Sequence, residues 1–108
     1  MKLLIAIVQD QDAPVLVSAL VERDFRVTTV ATSGGLLRQG QTTLISGVDD
    51  ERVDEWLAIA EEKCQRRMVP LVLGGDPEHY PWYTPELLEV EVGGAVVFVL
   101  NVDRYERL

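Results

Sequence analysis

Apolar and polar positions divide this chain into short strand-like runs and two helix-like runs. Leu3 to Val8 is apolar at every position, the pattern of a central strand buried on both faces. Gln9 to Gln11 end it. Asp12 stands where a helix N-cap is expected, and Pro14 falls in the first turn, where a missing N–H costs nothing. The helix is expected to run to about Asp24, with Leu16, Ala19, Leu20 and Arg23 at helical spacing and Ser18 and Glu22 facing out. Phe25 to Thr32 then reads as a second strand. Period two puts Arg26, Thr28, Val30 and Thr32 on one face and Phe25, Val27, Thr29 and Ala31 on the other. The first face is polar for a side that meets a core, so it is expected to look into a cleft or a subunit contact.

Gln41 to Gly47 is the expected third strand, closing on a glycine. Asp49 or Asp50 caps a second helix, with Glu51 near its positive end. Val53, Trp56, Leu57, Ala60 and Cys64 form its apolar stripe, and Glu51, Asp54, Glu55, Glu61 and Glu62 its wet side. No period survives from Gln65 to Glu86. That stretch carries Pro70, Pro77, Pro81 and Pro85, the pair Gly74-Gly75, and the aromatics Tyr80, Trp82 and Tyr83, so it reads as a long loop. Leu88 to Val92 alternates strictly, Ala95 to Leu100 is a run of strand formers, and Gly93-Gly94 between them signals a two-residue hairpin. A polar tail follows from Asn101 to Leu108, carrying Arg104, Tyr105 and Arg107.

This order predicts an α+β, ferredoxin-like βαββαβ fold, with an extra C-terminal β-hairpin strand and a long loop before it. Its helices would cover one face of the sheet. The other face needs cover as well, and another subunit is the expected source.

Composition narrows the function classes. At 108 residues the natural expectation is one domain, 1–108. Hydrophobic residues make up 47% and charged residues 26%, too apolar for disorder. No apolar run approaches the ~20 residues of a membrane helix. No signal-peptide pattern precedes Leu3, and the single cysteine, Cys64, can form no internal disulfide, so a cytoplasmic protein is expected. Ten basic residues against eighteen acidic ones give a net charge of −8, which argues against a nucleic-acid backbone as partner. A small phosphorylated ligand stays open, because one arginine and a few backbone N–H groups can hold a phosphate locally.

The place that could do so is the loop between strands two and three. Gly34, Gly35 and Gly40 surround Arg38 there, and hydroxyl-rich strands flank it. Glycines let the backbone turn sharply and present N–H groups to an anion. Gly35 to Thr42 nearly matches the phosphate-loop pattern, but Gln41 replaces its lysine and a strand replaces its helix, so a nucleotide-hydrolysing loop is excluded. A plain hairpin loop and a ligand-contacting loop both fit. His79, the only histidine, reads as an exposed loop residue, and no metal-ligand spacing or nucleophile turn is present. Cys64 reads as a small core residue, Trp56 as core, and Trp82 as either a hydrophobic plug or a stacking surface. Nothing in the pattern argues for catalysis.

Four blocks of the chain resemble one family. They are Ile5–Asp12, Ala31–Arg38, Gly47–Glu55 and Val90–Val99, which look like the PII-like signal proteins that act as cyclic di-AMP receptors (the DarA/PstA family). The likeness spans almost the whole chain and is loose only over Gln65–Glu86. It implies a bacterial, non-enzymatic, nucleotide-binding homotrimer without cofactor or metal. Cyclic di-AMP would lie in each cleft between subunits, and binding would reorder the loops to alter contacts with an unknown downstream protein. Carried onto this sequence, the ligand contacts include Arg26, Thr28, Gly35, Leu37 and Gly47, with Gly34, Leu36, Arg38 and Gln41 beside them. Two positions depart from the family pattern: Leu36 replaces a phenylalanine and Gln41 an asparagine. The alternative that these favour is a PII-like structural or protein-interaction trimer that has lost its ligand or changed it for another adenine nucleotide.

Overall fold

The apolar run at the start of the chain becomes the strand around which the sheet is assembled. In a computed structural model that describes residues 1–30, 40–73 and 86–108, the elements follow in a simple order. They are β1 (Lys2–Gln9), α1 (Ala13–Glu22), β2 (Thr28–Val30), β3 (Gln41–Val48), a 3-10 turn (Asp50–Arg52), α2 (Val53–Lys63), β4 (Arg67–Leu73), β5 (Glu86–Val92) and β6 (Ala95–Asn101). β1 is paired antiparallel on both edges, so that Ile5 lies between Ile45 of β3 and Phe98 of β6. β2 joins the outer edge of β3, and the sheet order is β2-β3-β1-β6. This is the mixed α+β, ferredoxin-like arrangement that the pattern predicts.

Both helices lie on one face. Leu4, Ala6 and Val8 of β1 and Leu44 and Val48 of β3 meet Leu16 and Leu20 of α1 and Trp56 and Ala60 of α2, all of them buried. Residues at the alternate positions point the other way. Leu3, Ile5 and Ile7 are half-buried there, and their partners across β6, Leu100, Phe98 and Val96, are 43%, 53% and 56% exposed. The second face of the sheet is therefore apolar and uncovered in the single chain.

Four local expectations change. Asp12 occupies the N-cap position of α1, but its side chain bonds no helix N–H. It is 4% exposed and instead accepts two hydrogen bonds from the Arg67 guanidinium, at 2.8 and 3.4 Å. A charged donor at the base of β4 outcompetes a neutral backbone N–H for a carboxylate that has left water. Asp49 precedes the 3-10 turn, also without a side-chain cap, and Asp50 pairs with the Met1 ammonium at 2.9 Å.

The long loop is shorter than its prolines suggest, because strands β4 and β5 occupy its two ends. They pair antiparallel, from Arg67 opposite Val92 to Leu73 opposite Glu86, as a separate two-stranded ribbon. Pro70 lies opposite Glu89 in this ribbon, and strands with a free edge are where a sheet admits proline. Gly93-Gly94 is the fourth change: it joins strands that belong to different sheets, not the two arms of one hairpin. Both glycines have positive φ, 89° and 87°, as a hairpin turn would. Here, however, they steer the chain from the ribbon onto the open edge of β1. The Gly94 N–H donates to the Cys64 carbonyl (2.5 Å) and the Gly93 N–H to Gln9 Oε1 (2.8 Å).

A Cβ at Gly93 would lie 2.1 Å from the Gln65 carbonyl oxygen, so only glycine fits at this crossing. Gly93→Ala is expected to destabilise the fold by about 2–4 kcal/mol, read from the midpoint of urea unfolding. Gly40→Ala, where a Cβ would meet nothing within 4 Å and only the positive φ opposes it, is expected to cost about 1–2 kcal/mol.

Candidate functional site

Where β2 begins and β3 ends, the uncovered face of the sheet opens into a cavity of about 670 Å³. Its floor is Leu3 of β1 with Ile45 and Gly47 of β3. Arg26 and Thr28 line it together with the C-terminal residues Val102, Tyr105 and Arg107. Asp24, Asp49 and Arg52 lie at the end nearest the helices. Three residues singled out from sequence, Arg26, Thr28 and Gly47, are thus brought together on one cavity.

The backbone at Arg26 is held from beneath. The Ser46 hydroxyl donates to the Arg26 carbonyl at 2.6 Å and accepts the Trp56 indole N–H at 3.2 Å. Ser46 is 1% exposed and Trp56 fully buried, so neither has water as an alternative partner. Spacing placed Trp56 in the core, where it is. That its N–H also fixes the cavity wall depends on a serine on a different element, which helical periodicity cannot report.

Gly47 keeps the floor clear. Its backbone lies outside the left-handed region, and a Cβ there would meet only Met1 Sδ, at an ordinary 3.8 Å. The chain's own packing leaves room for a side chain at 47, and the space it would take is the cavity. Met1 is tethered through its ammonium to Asp50, whose carboxyl is held below the usual range chiefly by that hydrogen bond, against the opposing effect of burial. Arg52 is already engaged: it donates to the Arg23 carbonyl (2.7 Å) and to Glu55 (3.2 and 3.3 Å) and lies over the Phe25 ring at 4.0 Å. It shapes the cavity's inner end.

Gln41 is not part of this cluster. It pairs with Gln9 at the opposite end of β3 from Gly47, a separation of about 20 Å along the strand. Gly34, Gly35, Leu36, Leu37 and Arg38 lie outside the described residues, as do His79, Tyr80, Trp82 and Tyr83. Conversely, the lining contributed by Met1, Tyr105 and Arg107 was not legible. The tail has no periodic pattern, and only its repeated arginines around a tyrosine hint at use.

The sequence profile of a family described as cyclic-di-AMP receptor matches residues 1–108. The chain belongs to this family. Its fold also matches the crystal structure of a functionally unknown protein from Pediococcus pentosaceus ATCC 25745, with a TM-score of 0.75 and 39% sequence identity over 99% of this chain and 96% of that one.

Cys64 is buried, and its thiol is pushed up to about 11 by burial and then by the nearby Asp12 carboxylate, with Arg67 opposing. At neutral pH it is a protonated core residue, not a nucleophile. No group of histidine, cysteine or carboxylate side chains suited to a metal occurs among the described residues. None of their helices is long and apolar enough to cross a membrane.

Ser46→Ala leaves the Trp56 N–H buried without a partner and frees the Arg26 carbonyl. It is expected to cost about 1–3 kcal/mol in urea unfolding. Hydrogen exchange should also quicken at the amides of Arg26 to Thr28.

Proposed function

We propose that this cyclic-di-AMP receptor is a non-enzymatic, cytoplasmic signal-transduction protein, one PII-like domain over residues 1–108, that assembles as a homotrimer. Cyclic di-AMP would occupy clefts between subunits, with Arg26, Thr28 and Gly47 contributed by one subunit. Gly34, Gly35, Leu36, Leu37, Arg38 and Gln41 would come from its neighbour. Binding would order the two loops and so change contacts with a downstream protein, through interactions that differ between the free and bound states.

One observation carries the two-subunit form of this reading. Arg26, Thr28 and Gly47 meet on one cavity, while Gln41 lies about 20 Å along the same strand and adjoins the loop that holds the remaining candidates. A single cyclic dinucleotide does not span that strand. Both sets can serve one ligand if the second set belongs to another copy of the chain. The uncovered apolar face bearing Ile5, Ile7, Val96 and Phe98 supplies a reason for copies to associate.

Leu36 and Gln41 favour a second reading, a PII-like protein-interaction trimer with a lost or altered ligand. A base stacked on an aromatic side chain gains about 1–3 kcal/mol, which Leu36 forgoes. Calorimetry with cyclic di-AMP, cyclic di-GMP, ATP and ADP separates the two. Heat with cyclic di-AMP and little with the others is expected; silence with all four would sink the first reading. Leu36→Phe that gains tight binding where the natural chain has none would support the second.

If Gly47 forms the floor of the ligand cavity, Gly47→Val should abolish cyclic di-AMP binding with little change in melting temperature, since the added side chain enters open space. Arg26→Ala should weaken binding about tenfold or more, as expected for a lost charge-assisted hydrogen bond.

A further inference from the structure

We propose that the Asp12–Arg67 ion pair is a latch that fixes the direction of the β4–β5 ribbon, and that its release lets the ribbon swing at its root on the Cys64–Gly94 backbone hydrogen bond. Neither Asp12 nor Arg67 lines the cavity described above, so the inference does not depend on which ligand that cavity takes.

The ribbon is attached at one end. β4 and β5 pair with each other and belong to no other sheet, and among the described residues their extensive contacts are with one another. A two-stranded ribbon is marginal by itself in water, so its direction is set where it joins the body. The chain enters the ribbon through Gln65-Arg66 and leaves it through Gly93-Gly94. At this root the Gly94 N–H donates to the Cys64 carbonyl at the end of α2 (2.5 Å), and the Gly93 N–H donates to Gln9 Oε1 at the end of β1 (2.8 Å). Arg67, the first residue of β4, donates to both Asp12 oxygens at 2.8 and 3.4 Å and to the Gln65 carbonyl at 3.0 Å. Arg66 and Glu91, 3.9 Å apart and both exposed, add little.

These contacts are unequal in what they constrain. One backbone hydrogen bond, at Gly94, leaves rotation about itself open. The Gln9 contact is neutral and made by a long side chain. The guanidinium fork on Asp12 prescribes both distance and orientation, and it is charge-assisted. Asp12 stands at the start of α1 and is 4% exposed, so the fork meets a rigid point on the body. The helix competes weakly for this carboxylate. An N-cap side chain takes the N–H of the second or third helical residue; here the second is Pro14, which has none, and only Val15 remains. Two arrangements of Asp12 therefore exist: bound to Arg67 with the ribbon fixed, or turned to the Val15 N–H with Arg67 in water and the ribbon free. An element with two such discrete states is a hinge that a change in either partner can bias.

The test is a pulsed electron–electron distance measurement on the free full chain, diluted with unlabelled chain, with nitroxides attached at Ser18→Cys on α1 and Glu89→Cys on β5. Both positions are exposed, while Cys64 is buried and protonated and takes no label. One narrow distance distribution is expected with the pair intact. Asp12→Asn and Arg67→Gln should each widen it about twofold, and the double variant should widen it no further than either single change. Arg67→Lys, which keeps the charge and loses the fork, should fall between; it also carries the test if the loss of a buried partner prevents another variant from folding. Hydrogen exchange at the Gly93 amide should quicken about tenfold in the same variants, with the amides of β1 and α2 unchanged. The inference is overturned if the distribution is already broad in the natural chain, or if it stays narrow in the variants. It is also overturned if exchange quickens evenly along the chain, which would make the pair a general support of the core.

Discussion

A four-stranded sheet has two faces, and this chain brings two helices to only one of them. Most of what is distinctive about the protein follows from that shortfall. On the helix side, Leu4, Ala6, Val8 and Leu44 are sealed against Leu16, Leu20 and Trp56 and form the core. On the other side, equally apolar residues at the alternate positions of β1 and β6 remain in water. The hydrophobic effect that closes the first face acts on the second with no helix among the described residues to satisfy it. The proposed assembly of copies answers this constraint, and the cavity at the end of that face becomes part of a cleft.

The core reaches into the cavity through one hydrogen-bonded relay. Trp56 is the largest fully buried side chain among the described residues, and its one polar atom needs a partner. Ser46 provides it and passes a hydrogen bond on to the Arg26 carbonyl. A satisfied buried pair of this kind is rigid, because each group has a costly alternative. The wall presented to a ligand is thereby as fixed as the helix packing behind it. The tail, which lines the same cavity, is exposed beyond its root at Val102.

Periodicity made the strands and helices legible where one face is buried. Leu16 and Leu20 on α1, Trp56 and Ala60 on α2 and Cys64 at its end fill the positions their spacing assigned, whereas the run from Leu3 to Val8, expected to be buried on both faces, buries only Leu4, Ala6 and Val8 fully. It failed where a segment's partner lies far along the chain. Arg67 to Leu73 is a strand only because Glu86 to Val92 pairs with it, and Pro70 concealed it. The double glycine at 93 and 94 has the backbone of a hairpin turn, yet β6 takes the vacant edge of β1. Asp12 stands where a cap belongs, but a distant arginine claims its carboxylate. Of the site, the polar strand face at Arg26 and Thr28 was visible because alternation sets it apart. Tyr105 and Arg107 were not, since an aperiodic tail carries no mark of the cavity it borders.

By itself, the sequence determined the apolar stripes of the two helices, the order of β1, α1, β2, β3 and α2, and membership of the cyclic-di-AMP receptor family over residues 1–108. These depend on local spacing and residue type, which are written along the chain. Tertiary structure alone decided which strand takes the second edge of β1 and which carboxylate binds which arginine. It also decided that Arg26, Gly47 and Arg107 share one cavity while Gln41 lies at the other end of the sheet. Those outcomes are settled by competition among groups distant in sequence, and the winner is the pairing that leaves fewest polar groups and strand edges unmet in the folded chain.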